Sequence, residues 1–109
     1  MGFDERLADR VRKVLAEEVE ASERKMFGGL SFMVRGNMCC GIVGDDLVVR
    51  VGPDRYDEAL TRRDTRPMDF TGKPLRGYVY VGSEGYRSTK ALRDWVGRAL
   101  EFNKTLSAK

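Results

Sequence analysis

The stretch that decides the fold runs from Lys25 to Val51: Lys-Met-Phe-Gly-Gly-Leu-Ser-Phe-Met-Val-Arg-Gly-Asn-Met-Cys-Cys-Gly-Ile-Val-Gly-Asp-Asp-Leu-Val-Val-Arg-Val. Three apolar runs are separated by turn residues, the pattern of an antiparallel meander. Gly36-Asn37 reads as a two-residue, glycine-first hairpin turn. That turn sets Arg35 opposite Met38, Val34 opposite Cys39 and Phe32 opposite Gly41. One sheet face then carries Leu30, Phe32, Val34, Cys39 and Val43. The other carries Ser31, Met33, Arg35, Met38, Cys40 and Ile42, a set too apolar to face water alone. Met33, Arg35, Met38 and Ile42 are accordingly the candidate interaction face. Gly28-Gly29 fits either a tight hairpin or a bulge; with so few residues before it, a kink in one long strand is expected. A three-residue loop at Gly44-Asp45-Asp46 places Leu47, Val49 and Val51 beside Leu30 and Phe32 and leaves Arg50 outside.

Working outward, residues 3–20 carry Phe3, Leu7, Val11, Val14, Leu15 and Val19 on one helical stripe. Ala21-Ser22-Glu23 is a polar link. Gly52-Pro53 opens a second helix with proline at its first position, and Tyr56, Ala59 and Leu60 form its stripe. Met68-Asp69-Phe70 reads as a short strand that Pro67 and Pro74 confine to a sheet edge. Tyr78 to Val81 is a strand, Gly82 to Gly85 a turn. Ser88 caps a last helix with Ala91, Leu92, Trp95, Val96, Ala99 and Leu100 facing inward. The expected architecture is α+β and two-layered: an antiparallel sheet of about five strands against helices, in the order helix, meander, helix, strands, helix. Residues 1–109 are expected to be a single domain, a common size for one. Leu7, Val11, Phe32, Val49, Trp95 and Val96 are its expected core.

Composition excludes more chemistry than it suggests. There is no histidine among the 109 residues, which removes the commonest general base and transition-metal ligand. Ser-His-Asp and Cys-His nucleophiles cannot be built from this chain. Cys39-Cys40 are the two cysteines; on a regular strand their side chains point to opposite faces, so they are expected neither to share a metal nor to bond to each other. No disulfide framework exists, which suits a reducing compartment. Gly28-Gly29 and Gly72-Lys73 lack the further glycines of a phosphate loop. Asp45-Asp46 is explained by turn chemistry. The Asn103-Lys104-Thr105 triplet carries no meaning in a cytoplasmic chain. No catalytic residue, cofactor site or metal site is expected, no apolar run is long enough for a membrane span, and the location expected is cytoplasmic.

Arg62, Arg63, Arg66, Lys73 and Arg76, with Arg87 nearby, are a candidate basic patch. Near Tyr78 and Tyr80 they could hold a nucleic-acid single strand, but acidic residues are interspersed. The net charge of +3 is too small for tight DNA binding, so direct contact with DNA is expected to be weak or absent.

Met26-Phe27-Gly28-Gly29, Gly36-Asn37-Met38 and Asp46-Leu47-Val48-Val49-Arg50-Val51 resemble the N-terminal domain of the TfoX/Sxy family. Arg66-Pro67-Met68 and Gly77-Tyr78-Val79-Tyr80 fit its second half, so the resemblance spans about residues 3 to 102. It implies the same α+β order and supplies no catalytic residue. It also implies regulation of the competence-gene type, through a protein partner such as a cyclic-AMP receptor protein. Members known for that role carry a second, C-terminal domain; this sequence, ending at Lys109, is expected to be a single-domain member. The expected function is therefore a non-enzymatic protein-interaction module in transcriptional control, forming a homodimer. The alternative is a small-ligand binder or enzyme with a pocket between the sheet and the last helix.

Overall fold

The computed structural model describes residues 3–26, 28–70 and 72–108, with Phe70 described by its backbone alone. Helix α1 (Glu5–Ala16) is followed by strands β1 (Ser22–Met26), β2 (Gly29–Val34), β3 (Asn37–Val43) and β4 (Asp46–Arg50). A 3₁₀ turn (Pro53–Arg55) leads into short helix α2 (Tyr56–Ala59). Strands β5 (Thr65–Phe70) and β6 (Lys73–Val81), short helix α3 (Ser83–Tyr86) and long helix α4 (Thr89–Asn103) complete the chain. The six strands form one antiparallel sheet in the order β1-β2-β3-β4-β6-β5. The fold is α+β, with six strands where about five were expected.

Local chemistry explains the helix ends. Asp4 caps α1: its carboxylate accepts from the amides of Arg6 at 2.9 Å and Leu7 at 3.4 Å. Ser88 caps α4 as expected, accepting from the Ala91 amide at 3.0 Å. Pro53 starts the 3₁₀ turn without losing a hydrogen bond, because its missing amide would be unpaired there. The strand around Met68 lies at the sheet edge, where Pro67 costs no ladder bond.

The hairpins correct three sequence readings. Met26 pairs with Gly29, so the Gly28-Gly29 region turns a hairpin and does not kink one strand; Phe27 of that motif lies outside the described residues. Adding a Cβ at Gly29 would drive it into the Ile42 carbonyl, which leaves no room for a larger residue. The second turn is Arg35-Gly36 rather than Gly36-Asn37, since Val34 pairs with Asn37. Both turn residues have positive φ, 57° and 83°, the type I′ arrangement whose twist matches the strands. The third loop has two residues, because Val43 pairs with Asp46.

A bulge then changes what each face carries. Phe32 pairs with Cys40 but Met33 pairs with Met38, so Cys39 is an extra residue on β3. An extra residue reverses the alternation beyond it. Cys40 and Ile42 therefore join Leu30 and Phe32 on the helix side, and Val43 moves to the other side. Ile42 is fully buried there, so the register reading that put it outside with Met33 and Met38 is corrected. Leu47, Val49 and Val51 are in the core as expected.

All four helices contribute to the core on that one face. Leu7 and Val11 of α1, Tyr56 and Ala59 of α2, Tyr86 of α3, and Leu92, Trp95 and Val96 of α4 pack with Phe32 and Val49. The expected core sextet is buried together. The chain after α4 returns to the Arg35-Gly36 hairpin. The buried Asn103 amide donates to the Val34 carbonyl at 3.0 Å, Asn37 to the Ser107 carbonyl at 2.9 Å, and Arg35 to the Leu106 carbonyl at 2.9 Å.

Candidate interaction face

The sheet face opposite the helices carries its own apolar cluster. Met38, Val48 and Met68 are buried in it, and Met33, Val43, Leu75, Tyr78 and Tyr80 are half-buried around them. No helical residue belongs to this cluster. Alternation puts the cluster there: Val48 lies between Leu47 and Val49, and Tyr78 and Tyr80 flank Val79, all three of those neighbours being core residues.

Arginine side chains form part of its roof. The Arg50 guanidinium stands 5.3 Å from the centroids of both Tyr78 and Phe102 and donates to the Met38 carbonyl at 3.3 Å. The Arg66 guanidinium stands 4.8 Å from Tyr80 and grips Asp46 at 2.6 and 3.4 Å. Such cation–π contacts hold flat cations over rings while the long stems cover apolar surface. Burial, then the Asp46 charge, raises the Tyr80 phenol above its ordinary value.

Of the expected face, Met33 and Met38 lie in this cluster, and Arg35 is exposed at its hairpin end. Ile42 does not join them. Sequence reasoning missed Val48, Met68, Leu75 and the two tyrosines as members. For Val48, Tyr78 and Tyr80 the signal was present in the alternation of β4 and β6, but only strand order brings β6 next to β4; Met68 lies on β5, and Leu75 is out of phase with the tyrosines across Gly77, whose φ is 98°.

The expected basic patch is divided and neutralised. Arg62 pairs with Glu58 at 2.8 Å, Arg63 with Glu84 at 3.3 Å, Arg66 with Asp46 at 2.6 Å and Arg76 with Asp57 at 3.7 Å. Arg87 also pairs with Glu84, at 2.8 Å. Arg66 overlies the open face, whereas Arg76 sits over Tyr56 of α2 on the helix side. Glu58 is gripped by Arg98 and then Arg62, which together hold its carboxyl down at about 2. Lys73 enters no ion pair among the described residues. Arg6, Arg10, Arg24, Arg35 and Arg50 also have no carboxylate within ion-pair reach among the described residues. Arg24 stands opposite Ser31, which points away from the helices, and Arg50 opposite Tyr78, so both lie on the open face, while Arg35 is at the hairpin end.

The two cysteines differ from expectation in geometry. The bulge brings both thiols to the helix side, fully buried and unbonded to each other. Contact with Cys39, then burial, pushes the Cys40 thiol well above its ordinary range. Such a thiol is a poor nucleophile. A raised folded-state value means that stability is intact below pH 9, the ordinary value, and declines above it as the unfolded chain alone ionises. We expect denaturant melts to lose up to about 1.4 kcal/mol per pH unit above that point. Cys40→Ala should flatten the slope; a wild-type profile flat from pH 8 to 10 would contradict the burial argument.

Elsewhere the surface offers little convergent chemistry. A cleft of about 480 Å³ lies between the end of β4 and α4, lined by Val51, Pro53, Arg98 and Phe102. Three of its charged side chains are in ion pairs, Arg98 with Glu58 at 2.7 Å and Arg55 with Glu101 at 3.3 Å, and Asp54 is in none among the described residues. Among the described residues no group of three or more Cys, Asp or Glu side chains is placed to hold a metal ion. No described helix is long and apolar enough to cross a membrane. A family model described as the TfoX N-terminal domain matches residues 13–103. No curated protein matches the chain.

Proposed function

Because this chain belongs to the TfoX N-terminal domain family, we propose that it is a non-enzymatic protein-interaction module of the transcription- or competence-regulating type, acting in the cytoplasm through a protein partner. The family suggests a regulatory role and is not a known enzyme family. One observation carries the reading: an apolar cluster around Met33, Met38, Val48 and Tyr78 lies on a sheet face that the chain's own helices leave to others. Two-layer folds bury one sheet face, and a second apolar face invites a further layer. Direct DNA binding is not part of the proposal, since the four arginines of the basic patch are held in ion pairs.

A homodimer through the same face is the second reading, because an apolar patch can be self-complementary about a two-fold axis. Small-ligand binding or catalysis in the cleft beside α4 has less support, both of its arginines being held in ion pairs.

The test is affinity capture from the source cells with wild-type chain and Met33→Lys. Proteins recovered by the wild type should be lost from the variant, because a lysine covered by an apolar partner is left desolvated and unpaired. Equal recovery by both would contradict the reading. Light scattering on the same samples decides the dimer: a wild-type dimer that Met33→Lys converts to monomer supports it, and a wild-type monomer removes it.

A further inference from the structure

We propose that the open sheet face receives an acidic amphipathic helix, whose apolar stripe lies on the methionines and tyrosines and whose carboxylates meet Arg24, Arg35 and Arg50. The inference rests on the interaction reading above and names the chemistry of the partner.

Three observations lead to it. The first is charge. Arg24 and Arg50 stand on the cluster's side of the sheet, and Arg35 is at its hairpin end, where it donates to the Leu106 carbonyl; none of the three has a carboxylate partner among the described residues. The face's own acid, Asp46, is already gripped by Arg66, and Asp69 lies toward the far end of β5. Arg6 and Arg10 of α1 are likewise outside these ion pairs, so what marks the open face is that its cations without an acid lie beside an apolar cluster. A second copy stacked face to face would bring these cations against their own kind, and like charges across an interface are repulsive. An acidic partner would satisfy them.

The second is side-chain character. Apart from Met1, every methionine faces this side: Met33, Met38 and Met68 lie in the cluster, and Met26 stands opposite Gly29, which shares their side of the sheet. Flexible thioethers adapt to varied apolar partners. The third is shape. Six strands about 4.8 Å apart make a sheet roughly 25 Å across, matched by a helix of about 16 residues. The opposite face already holds α1 and α4, so a helix here completes a three-layer sandwich.

The probe is a dye-labelled 16-residue helical peptide with a leucine stripe and glutamates flanking it, and a twin with lysines for glutamates. The chain carries carbon-13 methyl groups on methionine. The glutamate peptide should shift the Met33 and Met38 methyl signals, bind more weakly as salt rises, and lose about fivefold or more in affinity to Arg24→Glu. Arg24 is exposed at the sheet edge, so that variant keeps the fold; Arg50→Gln provides a second variant. The lysine twin should leave the methyl signals in place. Equal binding of the twins, binding that leaves the methionine signals still, or a wild-type dimer that hides those methyls overturns the proposal. If neither peptide binds while capture from cells still depends on Met33, the acidic-helix inference falls and the interaction reading stands. If capture is indifferent to Met33, that reading falls too.

Discussion

Ile42→Lys is expected to leave the chain largely unfolded at 25 °C, whereas Met33→Lys is expected to fold. The two residues were grouped on one face by sequence, and the structure separates them. Ile42 is fully buried on the helix side, opposite Leu30 on β2 and Leu47 on β4. An ammonium there has no carboxylate partner and would lose its hydration, a penalty of several kcal/mol even after relaxation. Domain stability is about 5–15 kcal/mol in total, so most of it would be consumed. Met33 is half-buried at the rim of the open cluster. A lysine there can lay its stem on the sheet and keep its charge in water, at a cost of about 1 kcal/mol or less. Circular dichroism with urea melts decides it. A folded Ile42→Lys beside an unfolded Met33→Lys would mean the two faces are reversed.

Phe32→Ala is expected to cost about 3–5 kcal/mol. Phe32 is the largest of the fully buried side chains and packs from β2 against the helix layer. Its removal leaves a void between β-sheet and helices that rigid neighbours fill only in part. For a domain of this length each kcal/mol lowers the midpoint by about 4–8 °C, so the melt should move by tens of degrees. A loss below about 1 kcal/mol in denaturant would place Phe32 outside the core.

The helices and core were legible because periodicity reports them directly. Leu7 and Val11 on α1 and Trp95 and Val96 on α4 stand at helical spacing and are buried where that spacing put them. The strand region was legible as a meander but not in register. An arginine at positive φ is uncommon, so Gly36-Asn37 looked the better turn than Arg35-Gly36, and the error was one residue. The bulge at Cys39 was invisible, since two small adjacent apolar residues fit either face of a strand. That bulge moved Ile42 inward and brought the two thiols together. The assignment of Leu47, Val49 and Val51 to the core survived because a loop one residue too long offset the missing bulge. Of the candidate face, Met33 and Met38 were legible as strand methionines on the side away from the helices. Val48, Leu75 and Tyr78 were not grouped with them, because only the β4–β6 pairing makes them neighbours. The basic patch failed for a related reason: nearness in sequence does not reveal that Glu58, Glu84, Asp46 and Asp57 reach those arginines in space.

The central claim is that the open sheet face is where a partner protein sits. Photo-crosslinking in the source cells tests it most directly, with a photoreactive phenylalanine analogue placed at Tyr78 on the open face or at exposed Lys90 on α4. The account predicts discrete adducts to another protein from position 78 and none from position 90. Adducts from position 90 alone, or the same adducts from both, would contradict it.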